Sequence, residues 1–237
     1  MKGYCKENQA DRTTRIDGDT DPKRPHRAFR PTEFDALVAD VPELFASLAP
    51  AADAIPPRRR LFYMLRAWTG VRGEEAMRLL RSDFDLSDMP TLSIRKEVAK
   101  NGLAFLLPLP RWLASLLGGQ IGMVHPGARV FDEAVGIGRY DVARKRQFQR
   151  DLATVDIVDP MLNARSFRMT HETWFRSAGV DDNTIGTLRR DRGEGSKLLR
   201  RWHYTDYRQV MQHLRESVAL AERWYRDQLQ QARAKQA

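Results

Sequence analysis

The stretch Thr69-Gly70-Val71-Arg72-Gly73-Glu74-Glu75, followed by Leu79-Leu80 and Ser82-Asp83-Phe84-Asp85, decides how this sequence reads. Gly70 is a helix stop, because glycine adopts the left-handed conformation that closes a helix at little cost. Arg72 then sits at a junction, one residue before the next helical start at Gly73-Glu74-Glu75-Ala76-Met77-Arg78-Leu79-Leu80. An arginine at such a bend can turn inward while the backbone changes direction. Upstream, Arg58–Trp68 reads as a buried helix with Leu61, Phe62, Leu65 and Trp68 on one side.

Downstream, Thr91–Ile94 and Phe105–Leu107 read as two strands, with Asn101-Gly102 as the turn signal between them. Lys100 precedes that turn. A helix from Arg111 to Leu117 follows, with Gly118-Gly119 and His125-Pro126-Gly127 as loops. Asp141–Leu152 (DVARKRQFQRDL) is a basic helix held by Val142, Phe148 and Leu152. Arg144, Lys145, Arg146 and Arg150 on it either face backbone phosphates or form a solvated face. Arg165–Ala178 is helical and stops at Gly179, and Asp181 or Asp182 caps a helix through Leu188. Arg192-Gly193-Glu194-Gly195 is a loop.

From Lys197 the chain is mostly helical, with Leu214, Val218 and Tyr225 on one stripe. At the other end, residues 1–27 are polar and aperiodic and read as a disordered arm. Structure is expected from near Pro31, where Phe34, Leu37, Val38, Val41 and Leu44 have helical spacing, and Ala49–Pro57 closes that unit. No internal repeat is visible. The expected class is mainly α with a small antiparallel β-hairpin or three-stranded sheet, an α+β arrangement. Residues 28–210 form the main domain, and 211–237 a C-terminal helix.

The bulk numbers bound the function. The 237 residues carry Lys+Arg 40 against Asp+Glu 31, a formal net charge of +9, with 42% hydrophobic residues. The sequence pI is about 10.0. Most of the cations are arginines, whose planar fork of donors matches phosphate, so a polyanion partner, nucleic acid first, is expected. The single cysteine, Cys5, excludes a disulfide framework and a cysteine-based zinc site within one chain. No run approaches the roughly 18 apolar residues of a membrane span, and no apolar leader is visible at the N-terminus. A cytoplasmic setting with no metal and no cofactor is the expectation.

Together these boxes resemble the catalytic domain of the tyrosine recombinase (phage integrase) family. That family carries Thr-Gly-(apolar)-Arg-x-x-Glu with a trailing Asp-(apolar)-Asp, and every position is filled here by Thr69-Gly70-Val71-Arg72, Glu75 and Asp83-Phe84-Asp85. Lys100, on the hairpin ahead of Leu107-Pro108-Leu109, matches the family lysine; otherwise it is a solvated turn residue. Arg165-Ser166-Phe167-Arg168-Met169-Thr170 matches His-x-(Leu)-Arg-x-Thr, with Ala178-Gly179-Val180 as the helix stop. Tyr204, in His203-Tyr204-Thr205-Asp206, fits the nucleophile, with Tyr207 as runner-up.

Two departures stand out. Arg165 replaces the usual histidine, and arginine cannot accept a proton at neutral pH. The His or Trp expected before the tyrosine falls near Leu188-Arg189-Arg190-Asp191, where Asp191 is the nearest occupant. His171, one turn after Arg168, either substitutes in part or is a buried structural histidine. His203 adjoins the nucleophile.

The resemblance implies site-specific recombination or integration on double-stranded DNA, as by enzymes of mobile genetic elements. Tyr204 would attack a phosphodiester to give a 3′-phosphotyrosine and a leaving 5′-hydroxyl. Arg72, Arg168 and Arg165 would bind the phosphate oxygens, and Lys100 would protonate the leaving group. The altered histidine positions imply a slow or degenerate enzyme. The family's N-terminal DNA-clamp domain has no counterpart in the sequence. The C-terminal helix packs on its own domain, or docks on a second copy to make a homo-oligomer on DNA. The rival reading is a non-catalytic DNA-binding protein, since Arg165–Leu188 has a helix-turn-helix outline.

Overall fold

The structure, a computed structural model, describes residues 26–39, 55–131, 141–190 and 207–235, with side chains from 146 and 208 onward in the helices that begin at 141 and 207. Its helices are α1 (Pro31–Val38), α2 (Pro57–Thr69), α3 (Gly73–Ala76), α4 (Arg111–Ile121), α5 (Asp141–Thr154), α6 (Ser166–Ser177), α7 (Asp182–Arg189) and α8 (Tyr207–Ala234). A 3-10 turn at Arg81–Asp83 leads into strands β1 (Phe84–Asp85), β2 (Thr91–Ile94) and β3 (Phe105–Pro108). The described chain is thus mainly helical with one antiparallel three-stranded sheet, ordered β1-β2-β3. Thr91 pairs with Pro108 and Ile94 with Phe105.

Helix α2 is the axis of the domain, buried on nearly every side rather than on the one side its apolar spacing indicates. Its arginines are covered because each finds a partner inside. Arg59 pairs with Asp151 at 2.8 Å, Arg60 Nε donates to the Ile55 carbonyl, and Arg66 lies over the rings of Phe62 and Phe167. Helix α6 lies against α2, and aromatic side chains fill the seam. Tyr63 stacks on Phe167 at 4.9 Å, and Trp174 meets Tyr225 at 4.7 Å and Phe34 at 5.1 Å.

The packed structure begins ahead of Pro31. Phe29 is buried, its N–H donates to Thr170 Oγ1 at 2.8 Å, and its carbonyl accepts from Trp174 Nε1 at 3.1 Å. Arg27 bonds Glu33 and Asp159, each at 2.7 Å. Helix α8 turns Val210, Met211, Leu214, Val218 and Ala221 onto its own domain, against α6, α1, α7 and β3. The apolar stripe of the C-terminal helix is used within the chain.

Three expectations are corrected. Helix α3 is a single turn and does not run on to Leu80. Asp83 is buried and takes the Leu80 N–H at 2.8 Å, while Leu80 bridges to Arg129, so the chain leaves the helix for an extended path. The β2–β3 connection is not a tight Asn-Gly hairpin but spans residues 95–104. Arg95 is pinned to Asp83 Oδ1 at 2.8 Å and to the Arg78 carbonyl, and Val98 and Ala99 tuck inward before Gly102 (φ 70) turns the chain. Helix α4 continues through Gly118-Gly119, because Leu113, Leu117 and Ile121 keep one buried face across them. The arm before His26, the loop at 192–195 and the first residues after Lys197 lie outside the described residues.

Candidate functional site

Helix α2 ends at Gly70, left-handed at φ 63, with its N–H on the Arg66 carbonyl at 3.1 Å. The chain then swings out to Arg72, the N-cap of α3. Glu75, one turn on, reaches back. Its Oε2 accepts the Arg72 N–H at 3.0 Å, and its Oε1 lies 3.3 Å from Arg72 Nη1. The same Oε1 accepts the Lys100 N–H at 3.1 Å. The carboxylate therefore ties the first arginine box to the lysine loop, although Lys100 stands 25 residues downstream. Lys100 itself is exposed, and Arg72 is 27% exposed.

Arg168 joins from α6. Its Nη1 donates to the Gly70 carbonyl at 2.5 Å and its Nη2 to the Arg189 carbonyl at 2.6 Å. The next residue, Arg190, closes the circuit by donating from Nη2 to Glu75 Oε2. Bonds thus run from Gly70 through Arg168, Arg189 and Arg190 to Glu75 and back to Arg72, with Lys100 on the same carboxylate. Burial alone would push the Glu75 carboxyl up. The Arg190 charge and the N–H groups of Lys100 and Arg72 outweigh it and hold the group below the usual glutamate range.

Arg165 is exposed at the N-terminus of α6, one turn before Arg168, with its N–H on Asn163 Oδ1 at 2.9 Å. Thr170, the threonine of the same box, is fully buried and holds Phe29. Arg146 and Arg150 are exposed on α5. Tyr204, His203 and Asp191 lie outside the described residues, as do the side chains of Arg144 and Lys145.

His171 is in the interior, so of its two readings the structural one describes its position. It is fully buried, with Nδ1 3.2 Å from the Ala67 carbonyl and its ring 4.1 Å from that of Phe175. Burial, reinforced by the charges of Arg168 and Arg189, pushes its pKa down to about 3. A neutral imidazole walled off from solvent cannot exchange protons with a bound substrate.

Arg190 and Arg66 were not legible as parts of this arrangement. Arg66 donates to the Ala164 carbonyl beside Arg165, and a Cβ on Gly73 would stand 3.3 Å from its Nη2, so it underlies both boxes. Its place on α2 reads as a solvent-facing break in the apolar pattern. Arg190 follows a helix end, where a left-handed arginine has no sequence signature. Among the described residues, no group of three or more His, Cys, Asp or Glu side chains could hold a metal ion.

In fold, the chain resembles the catalytic domains of tyrosine recombinases. The integrase from mycobacterium phage Brujita superposes with a TM-score of 0.52 at 17% identity, over 84% of this chain and 60% of that one. The XerH site-specific recombinase, in a pre-cleavage complex with its difH substrate, superposes with a TM-score of 0.53 at 17% identity, over 73% of this chain and 49% of that one. The chain thus spans less than two thirds of either protein. No family model and no curated relative matches the sequence. No helix among the described residues is long and apolar enough to cross a membrane.

Proposed function

We propose that this chain binds double-stranded DNA through its backbone phosphates and breaks and rejoins a strand as tyrosine recombinases do, by site-specific recombination or integration. The observation that carries this reading is the single circuit joining Arg72, Lys100 and Arg168 in a recombinase-like fold. Attack on a phosphodiester adds negative charge to the non-bridging oxygens, and preorganised cations are the main means of stabilising it. Arg72, Arg168 and the exposed Arg165 supply them.

Tyr204 is the nucleophile. Its hydroxyl proton passes to water, and its oxygen bonds to phosphorus as the bond to the 5′-oxygen breaks, giving a 3′-phosphotyrosine. Lys100, exposed on its loop, gives the departing 5′-oxygen its proton. Resealing runs the same steps backward, and the covalent link conserves the bond energy. With Arg165 in the histidine's place and His171 sealed in the core, the proton-transfer part is poorer than the oxyanion-binding part, which implies slow turnover.

The test is incubation with a nicked suicide duplex that traps the covalent intermediate. A protein–DNA adduct in the wild type that disappears in Tyr204→Phe is the expected result. Duplex binding with no adduct on any substrate would support the second reading, a non-catalytic DNA-binding protein. The buried His171 and the non-basic Arg165 favour that second reading. Assembly of copies on DNA through the outer face of α8 and a cytoplasmic setting belong to the same proposal.

A further inference from the structure

We propose that Arg190 is a positioning residue that acts through Glu75 to hold Arg72 and the Lys100 loop, and does not itself touch the DNA. The proposal rests on the reading of Arg72 and Lys100 as phosphate-facing groups. Arg190 lies at the end of α7, in the stretch where the resemblance leads one to look for a His or Trp. Its surroundings point elsewhere.

Arg190 is 1% exposed, and its guanidinium meets the carboxylate of Glu75, itself 2% exposed. The backbone of Arg190 is left-handed, at φ 56 and ψ 42. A non-glycine residue holds that conformation only where surrounding contacts enforce it. The inward ion pair is such a contact.

The two oxygens of Glu75 serve the whole cluster. Oε2 takes the Arg72 N–H and Arg190 Nη2, and Oε1 takes Arg72 Nη1 and the Lys100 N–H. Only an ionised carboxylate accepts on both oxygens without an O–H in the way. A buried carboxylate stays ionised only beside an opposite charge or several donors. Removing the Arg190 guanidinium takes away the charge that favours the ionised form. Glu75 then takes up a proton or turns outward, and either change loosens Arg72 and Lys100 together. The same turn fixes the second arginine, since the Arg189 carbonyl accepts from Arg168.

Amide hydrogen exchange on the full chain, without DNA, tests this directly. Arg190→Met is expected to lower protection at the Arg72 and Lys100 amides at least about tenfold while the Leu92 amide in the sheet is unchanged. Arg190→Lys should restore part of it, and Glu75→Gln should reproduce the loss. Unchanged protection at both amides in folded Arg190→Met overturns the proposal. If that variant does not fold, unchanged protection in Glu75→Gln does the same.

A binding cycle with random-sequence duplex separates positioning from direct contact. Arg190→Met weakens binding in the presence of Arg72 and Lys100 and adds nothing further in a background that carries both Arg72→Ala and Lys100→Ala. Additive losses mean that Arg190 touches phosphate and overturn the proposal. A wild-type chain that binds no duplex defeats the proposed function, while the exchange result still decides the positioning role.

Discussion

At Gly70 the backbone is left-handed, and a Cβ there would stand 2.8 Å from His171 Cδ2. Both facts act against any side chain. The left-handed conformation costs a non-glycine residue about 1–2 kcal/mol, and forcing a methyl group into a filled interior about 1–3 more. Gly70→Ala is therefore expected to destabilise by about 2–5 kcal/mol, read as a lower midpoint in urea at unchanged slope. The variant should also bind duplex less well, because the Gly70 carbonyl seats Arg168. A loss below about 0.5 kcal/mol, the range of ordinary surface changes, would contradict this reading.

His171 carries a pH signature with a definite sign. Its pKa is about 3 in the folded chain against an ordinary 6.5, so the unfolded state binds the proton more readily. The stability this contributes is fully present above pH 6.5 and drains away as the pH falls from 6.5 toward 3, by up to about 1.4 kcal/mol per pH unit. Between pH 6.5 and 5 the carboxylates titrate little, so that window belongs to the five histidines, and a His171 variant singles out its share. Urea unfolding of His171→Leu should show a shallower pH dependence there than the wild type, and equal slopes would remove the case for a buried neutral imidazole. The sequence placed His171 one turn from Arg168 but left its burial open, because burial depends on which face of α6 meets α2.

Helices and turns that follow local rules were legible; those shaped by distant partners were not. The stop at Gly70, the Asp181 cap on α7, with the Thr184 N–H on its Oδ1 at 3.0 Å, and the two main strands follow from neighbours in the chain. The all-round burial of α2 does not. It depends on charges supplied from other helices, above all Asp151 on α5, whose carboxylate takes Arg59 at 2.8 Å, Tyr63 Oη at 2.5 Å and Gln147 at 3.0 Å. Asp151→Ala would leave the Arg59 guanidinium uncompensated among apolar neighbours. Breaking one side of a buried pair typically costs about 3–5 kcal/mol, whereas replacing both sides with apolar groups of similar size is often close to neutral. Denaturant unfolding should thus show a larger loss for Asp151→Ala than for a combined Arg59→Met and Asp151→Leu chain. The reverse order would mean that the pair does not bind α5 to α2.

Across the whole molecule, the net charge of +9 draws polyanions but does not say which arginines meet them. Exposure and bonding divide them into two kinds. Arg165 is exposed and held through its backbone, whereas both ends of the Arg168 guanidinium are bonded to backbone carbonyls on separate segments. Each phosphate neutralised on duplex DNA contributes about −0.9 to the slope of log K against log salt. Arg165→Ala should therefore lower the steepness of that dependence by about 0.9 and leave the unfolding midpoint within the small range of a surface change. Arg168→Ala should lower the affinity and the stability together, because it also unties Gly70 from Arg189. Fluorescence anisotropy with a random-sequence duplex at several salt concentrations, run beside thermal melts, separates the two. An unchanged salt slope in Arg165→Ala would place that residue off the path of the DNA, and the open side of the cluster would then be defined by Arg72 and Lys100 alone.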